Sequence, residues 1–237
     1  MRRSVTLIFG NSEFVQRSEW RWWSGLLAGT LTFLVTTIIG FWVVFTSTVG
    51  RVSDLGFLTM ELVGQFLLII TLIFLATLAD SDRLSKLYLI RVNLRGAWVI
   101  AFIVIALGVW CTGIIWDNLF PDALKGDGLE TDEDLLAADT RLAALALVVI
   151  GAPIAEELLF RGFMLPPLAK TRLGFSGATI VTTLLWTAIH WYSWQGSLAI
   201  MVWGLAFSYL LWRTGSILPS IALHGLLNLI SVLFVLY

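Results

Sequence analysis

The sequence predicts an all-α fold: a polytopic transmembrane helical bundle of about seven spans with its N-terminus in the cytoplasm. Three observations predict it. Hydrophobic residues make up 58% of the 237-residue chain and charged residues 13%, against roughly 45–50% and about 25% in a soluble domain. The chain also carries twelve tryptophans and fifteen phenylalanines, which suits a protein whose aromatic rings collect at two bilayer interfaces. The third observation is where the arginines and lysines fall, and it sets the orientation.

A spanning helix needs about 20 mostly apolar residues. The stretches that meet or approach this are 22–45, 56–79, 96–116, 142–165, 173–191, 196–212 and 216–237. Arg2, Arg3, Arg17 and Arg21 precede the first span, and Arg83, Lys86, Arg91 and Arg95 lie between the second and third. Lys170, Arg172 and Arg213 fall on the same side, whereas the other side holds Arg51, Lys125 and Arg141. The positive-inside rule therefore puts the N-terminus in the cytoplasm and the C-terminus outside. The basic start is followed by an apolar run too short for a signal peptide, so it is expected to be retained.

Residues 1–140 read as an N-terminal three-span region with an acidic outer loop, and 141–237 as a core that carries the chemistry. The loop, "DNLFPDALKGDGLETDEDLLAADTR", reads as a solvated connection leading through "TDED" into the fourth span, since acidic residues favour a first helical turn. "GLLAG" in the first span is a small-residue helix-contact pattern, and Glu61 and Gln65 form a bundle-facing pair in the second. The single cysteine, Cys111, excludes an intramolecular disulfide and reads as apolar filler. A net charge of -1 excludes nucleic-acid binding driven by bulk charge. Oligomeric state has no signature in the sequence.

Ionisable residues inside spans are costly, so a cluster of them is a candidate functional site. In "APIAEELLFRGF", residues 152–163, Glu157 and Arg161 stand four apart with the acid first, the favourable order for an ion pair on one helix. Glu156 is rotated by about 100° from its neighbour, which leaves it as the carboxylate without a dedicated partner and a candidate general base. Pro153 cannot donate to the carbonyl of Val149, so a kink is expected just upstream. The chain's two histidines, His190 in "LLWTAIHW" and His224 in "IALHGLLNL", fall in later apolar segments. Trp186 lies four before His190 and Asn228 four after His224, each on the same helical face as its histidine. Counting about 1.5 Å per residue from the cytoplasmic span ends brings Glu156, His190, His224 and Asn228 to mid-bilayer.

These segments resemble one family. "EELLFR" looks like the EExxxR motif, "WTAIH" like FxxxH and "HGLLN" like HxxxN of the CPBP family, the CAAX prenyl proteases and bacteriocin-processing enzymes also called Abi proteins. The resemblance covers roughly 141–228, with Trp186 standing where phenylalanine is usual. It implies a glutamate-type intramembrane endopeptidase, multi-pass in a bacterial-type cell membrane, without metal or cofactor, acting on a membrane-associated protein or peptide. In that reading Glu156 is the base, and His190 orients the nucleophilic water. His224 and Asn228 stabilise the oxyanion, while Glu157 with Arg161 holds the helix and tunes the field. Three alternatives stay open. His190, His224 and a glutamate make a zinc-type His2Glu set; the polar cluster could be the glue of a non-proteolytic scaffold or immunity protein; intramembrane acids and histidines also occur in transporters and proton relays.

Overall fold

A computed structural model of the chain describes residues 96–120, 141–190 and 192–236, with single helical positions such as Leu34 and Leu67 in the first two predicted spans. The rest of those spans, the "GLLAG" segment, Glu61, Gln65 and residues 121–140 of the acidic loop lie outside the described residues. Within them the architecture is all-helical, without strands. In chain order the elements are α1 (Gly96–Leu119), α2 (Arg141–Leu145), a π segment (Ala146–Gly151), α3 (Ala152–Glu157), a second π segment (Leu158–Met164), α4 (Leu165–Ala169), α5 (Gly174–Ala188), α6 (Trp194–Thr214) and α7 (Leu218–Leu236). The helix Trp194–Thr214 is long and apolar enough to cross a membrane, and Ile105–Trp116 and Leu218–Leu233 are shorter apolar stretches.

The expected kink upstream of the glutamates is two changes of helical pitch. From 141 to 169 the chain stays helical but alternates between α and π turns. Each π segment is followed within two residues by proline, Pro153 after the first and Pro166 and Pro167 after the second. A proline ring collides with the carbonyl four residues back and brings no N–H to it. A wider turn with i→i−5 bonding relieves the collision at the cost of one ladder bond, and such turns are common at functional sites. The α3 turn carrying Glu156 and Glu157 lies between the two wide ones.

Elsewhere the ends follow local chemistry. Ser193 caps α6 by accepting a hydrogen bond from the Gly196 N–H at 3.2 Å. Gly215, at φ 67°, closes the helix in the left-handed conformation that glycine adopts without a Cβ penalty. α5 ends at Ala188, so His190 lies in the turn beyond it and not inside a helix running to residue 191. Every residue from Glu157 to Ala169 is buried. There Leu158, Leu159, Phe160, Phe163, Met164, Leu165 and Leu168 form an apolar core with Trp186, Phe207, Leu210, Leu211, Ile217 and Leu223 from α5, α6, α7 and the preceding turn.

Candidate active site

Five sequence-selected side chains meet where α3 faces α5 and α7. The Glu157 Oε1 accepts from Arg161 Nη1 at 3.0 Å, and both side chains are fully buried. The second guanidinium nitrogen, Nη2, donates to the Gly204 carbonyl on α6 at 3.1 Å. Glycine is required at 204 for that approach, because a Cβ there would stand 2.8 Å from Thr183 and 3.1 Å from Arg161 Nη2. The guanidinium also lies 5.0 Å from the Trp186 ring and 5.3 Å from that of Phe207, within cation–π range. Arg161 thus joins three helices and neutralises one glutamate.

Glu156 is the freer carboxylate, with 22% of its side chain exposed where Glu157 has none. Its Oε2 accepts a hydrogen bond from the Trp186 indole N–H. The same oxygen lies 3.9 Å from His190 Nε2 and 3.9 Å from His224 Nε2, too far for direct hydrogen bonds. Both imidazoles are held by the opposite nitrogen. His190 Nδ1 is 2.7 Å from the Trp186 carbonyl, and His224 Nδ1 is 3.2 Å from Glu157 Oε1. A carbonyl and an ionised carboxylate only accept, so each Nδ1 carries the proton and each Nε2 is turned to Glu156. His190 makes this contact because it lies past the helix end, where the carbonyl of Trp186 is among those without a backbone donor.

Trp186 is the residue whose role the sequence underrates. Spacing marks it as an aromatic ring beside His190, and the structure adds two polar tasks: its indole N–H holds Glu156 and its carbonyl holds His190. The ring is 2% exposed and sits edge-on to both histidines, at 4.7 Å and 5.6 Å between centroids. Tryptophan rather than phenylalanine at this position was the available signal, since phenylalanine has no N–H.

Asn228 is the sixth selected residue, and one N–H of its amide donates to the Val148 carbonyl in the first π segment, with Nδ2 at 2.8 Å from that oxygen. Among the described residues no three histidine, cysteine, aspartate or glutamate side chains have metal-holding geometry.

Residues 138–230 match the family model described as Rce1-like, type II CAAX prenyl endopeptidase. The matched segment contains all three motifs, and the match supports the CPBP and CAAX protease family for this part of the chain. No curated protein and no solved structure matches the chain.

Proposed function

We propose that this protein is a multi-pass intramembrane endopeptidase that hydrolyses a peptide bond of a membrane-proximal or lipidated protein with water activated by Glu156 and His190. The observation that carries the reading is the convergence of two differently anchored imidazoles on Glu156, the glutamate of the pair that does not bond to Arg161. The 3.9 Å gap between Glu156 Oε2 and His190 Nε2 is of a size that a water molecule bridges. Such a water donates one hydrogen to the carboxylate and one to the imidazole, which leaves its lone pair free to attack a carbonyl carbon. Glu156 takes the proton as the bond forms. The developing oxyanion is met by His224, whose Nδ1 is held against Glu157, and by the Asn228 amide N–H that is not given to Val148 O. Arg161 offsets the second carboxylate, so that Glu156 is not beside an uncompensated acid.

An apolar groove lined by Val149, Ile150, Ile154, Ile221 and Leu229 runs along the seam between the glutamate-bearing helix and α7. It contains no charged side chain, which supports a substrate with an apolar portion. The N-terminal side is cytoplasmic in this reading, as the basic residues require.

The test is cleavage of a library of membrane-proximal peptides, some prenylated, by the detergent-purified protein and by Glu156→Gln, each with and without a chelator. Glu156→Gln is expected to lose about 10²–10⁴ in turnover while keeping its helical circular dichroism, and the wild type is expected to cut in the presence of chelator. Loss on chelation with rescue by zinc would establish the His2Glu alternative. A mutant as active as the wild type would remove Glu156 from the mechanism.

A further inference from the structure

Asn228 has the residue type of an oxyanion donor, and one of its two amide N–H groups is given to a backbone carbonyl of another helix. The hydrogen-bond ladder of the first π segment explains why that carbonyl needs a donor. The Ala152 N–H reaches back five residues to Leu147 O, so the next donor in the series, at residue 153, is due to Val148 O. Residue 153 is proline and has no N–H. Val148 O therefore receives nothing from position 152 or 153, and an unpaired backbone acceptor away from water is costly. Asn228 Nδ2 fills the vacancy at 2.8 Å.

The neighbouring carbonyl reports the same fit. Val149 O faces Gly225, three residues before Asn228 on α7, and a Cβ at 225 would stand 2.7 Å from that oxygen. One turn of α7 thus offers a missing side chain to one carbonyl and an amide donor to the carbonyl before it. Without glycine at 225 the helix axes could not come close enough for Asn228 to reach. Glu156 stands eight residues after Val148, and α3, which carries it, begins directly after the π segment.

We infer that Asn228 is also a positioning residue: through one N–H it splints the proline-opened turn and so fixes the helix that presents Glu156 to His190 and His224. For its kinetic arm this rests on the peptidase reading above. Its structural arm does not.

The experiment uses the full chain in detergent, as wild type, Asn228→Ala, Pro153→Ala and the double variant, read by peptide turnover and by backbone hydrogen exchange across residues 149–157. Alanine at 153 returns the N–H that proline lacks, which makes the Asn228 amide dispensable for holding the turn. Asn228→Ala is expected to lower kcat about 100-fold with little change in KM and to speed exchange in this segment. The double variant is expected to regain at least about tenfold of that loss and wild-type exchange. A double variant as slow as Asn228→Ala, with exchange unaltered in both, would overturn the inference and leave Asn228 a role at the reacting atoms alone. Full activity in Asn228→Ala would also overturn it. If Asn228→Ala fails to fold, recovery of folded protein in the double variant supports the splint and failure to recover refutes it. If no form cleaves any peptide, the peptidase reading falls, and exchange alone decides the splint by the same two outcomes.

Discussion

α1 and the helical run over 141–169 both read as apolar spans, and they are built in opposite ways. α1 is a regular α-helix of 24 residues, and Val99, Ile103, Leu107, Ile115 and Leu119 on it are exposed. Two of its polar side chains bond to their own helix: Thr112 donates to Gly108 O and Asn118 to Ile114 O, both at 2.8 Å. The 141–169 run changes pitch four times and exchanges polar bonds with three other helices, through Arg161 to Gly204 O, Trp186 to Glu156 and Asn228 to Val148 O. Hydropathy measures how well a segment tolerates lipid and so cannot separate the two. The separation comes from where backbone and side-chain polar groups find partners: within one helix in α1, between helices in the other.

If that contrast is right, the largest stability loss follows from cutting the inter-helix polar centre. Arg161→Met would leave the Glu157 carboxylate buried without its guanidinium partner, which costs about 3–5 kcal/mol for such pairs and is expected as a marked fall in Tm in detergent. Adding Glu157→Gln should restore part of the loss, because no stranded charge then remains. A single variant within about 1 kcal/mol of wild type would mean that this pair does not hold the helices.

The next effect is on chemistry rather than on stability. Trp186→Phe keeps an aromatic ring among Arg161, His190 and His224 and removes the indole donor to Glu156. Hydrogen bonds to charged groups contribute about 1.5–3 kcal/mol, so kcat is expected to fall roughly 10- to 100-fold with a smaller fall in Tm than Arg161→Met gives. An unaltered kcat would show that the bond plays no part in presenting the carboxylate.

The smallest effects compare one substitution in the two regions. Gly225→Ala drives a methyl to 2.7 Å from Val149 O and is expected to cost about 1–3 kcal/mol. Gly108→Ala in α1, where a Cβ would meet nothing within 4 Å, is expected to be neutral or to stabilise by about 0.5–1 kcal/mol. Thermal unfolding of the two variants side by side reads the difference, and equal shifts would erase the distinction between the regions.

Much of this was readable before the structure, for definite reasons. The ion pair of Glu157 with Arg161 follows from a spacing of four and an ordered helix, and with the guanidinium committed to Glu157, Glu156 is the freer carboxylate. The described helices begin and end within a few residues of the apolar runs, because capping chemistry such as that of Ser193 and Gly215 is local. The changes of pitch were not readable. Pro153 announced a disturbance, but a kink and a π turn both satisfy a missing N–H, and the choice depends on Gly225 and Asn228, more than seventy residues away. The same holds for Asn228, whose spacing from His224 predicted a shared face but not the carbonyl waiting on the next helix. His190 was placed within a helix by its apolar neighbours, whereas its contact to the Trp186 carbonyl depends on the helix having ended.

The π segments also change what an alignment gap means in this chain. A π turn is an α turn that has taken in one extra residue while the flanking turns keep their facing. Relatives that lack one residue within 146–151 would therefore align with a single-position gap in the middle of a helix, where gaps are commonly dismissed as errors. Here such a gap would mark a straightened helix in which the carbonyl that the proline leaves over is the one four residues back, and not the one that Asn228 meets. Chain length, counted residue by residue through this helix, is then a readable character for sorting relatives into those that open the turn before the glutamates and those that do not.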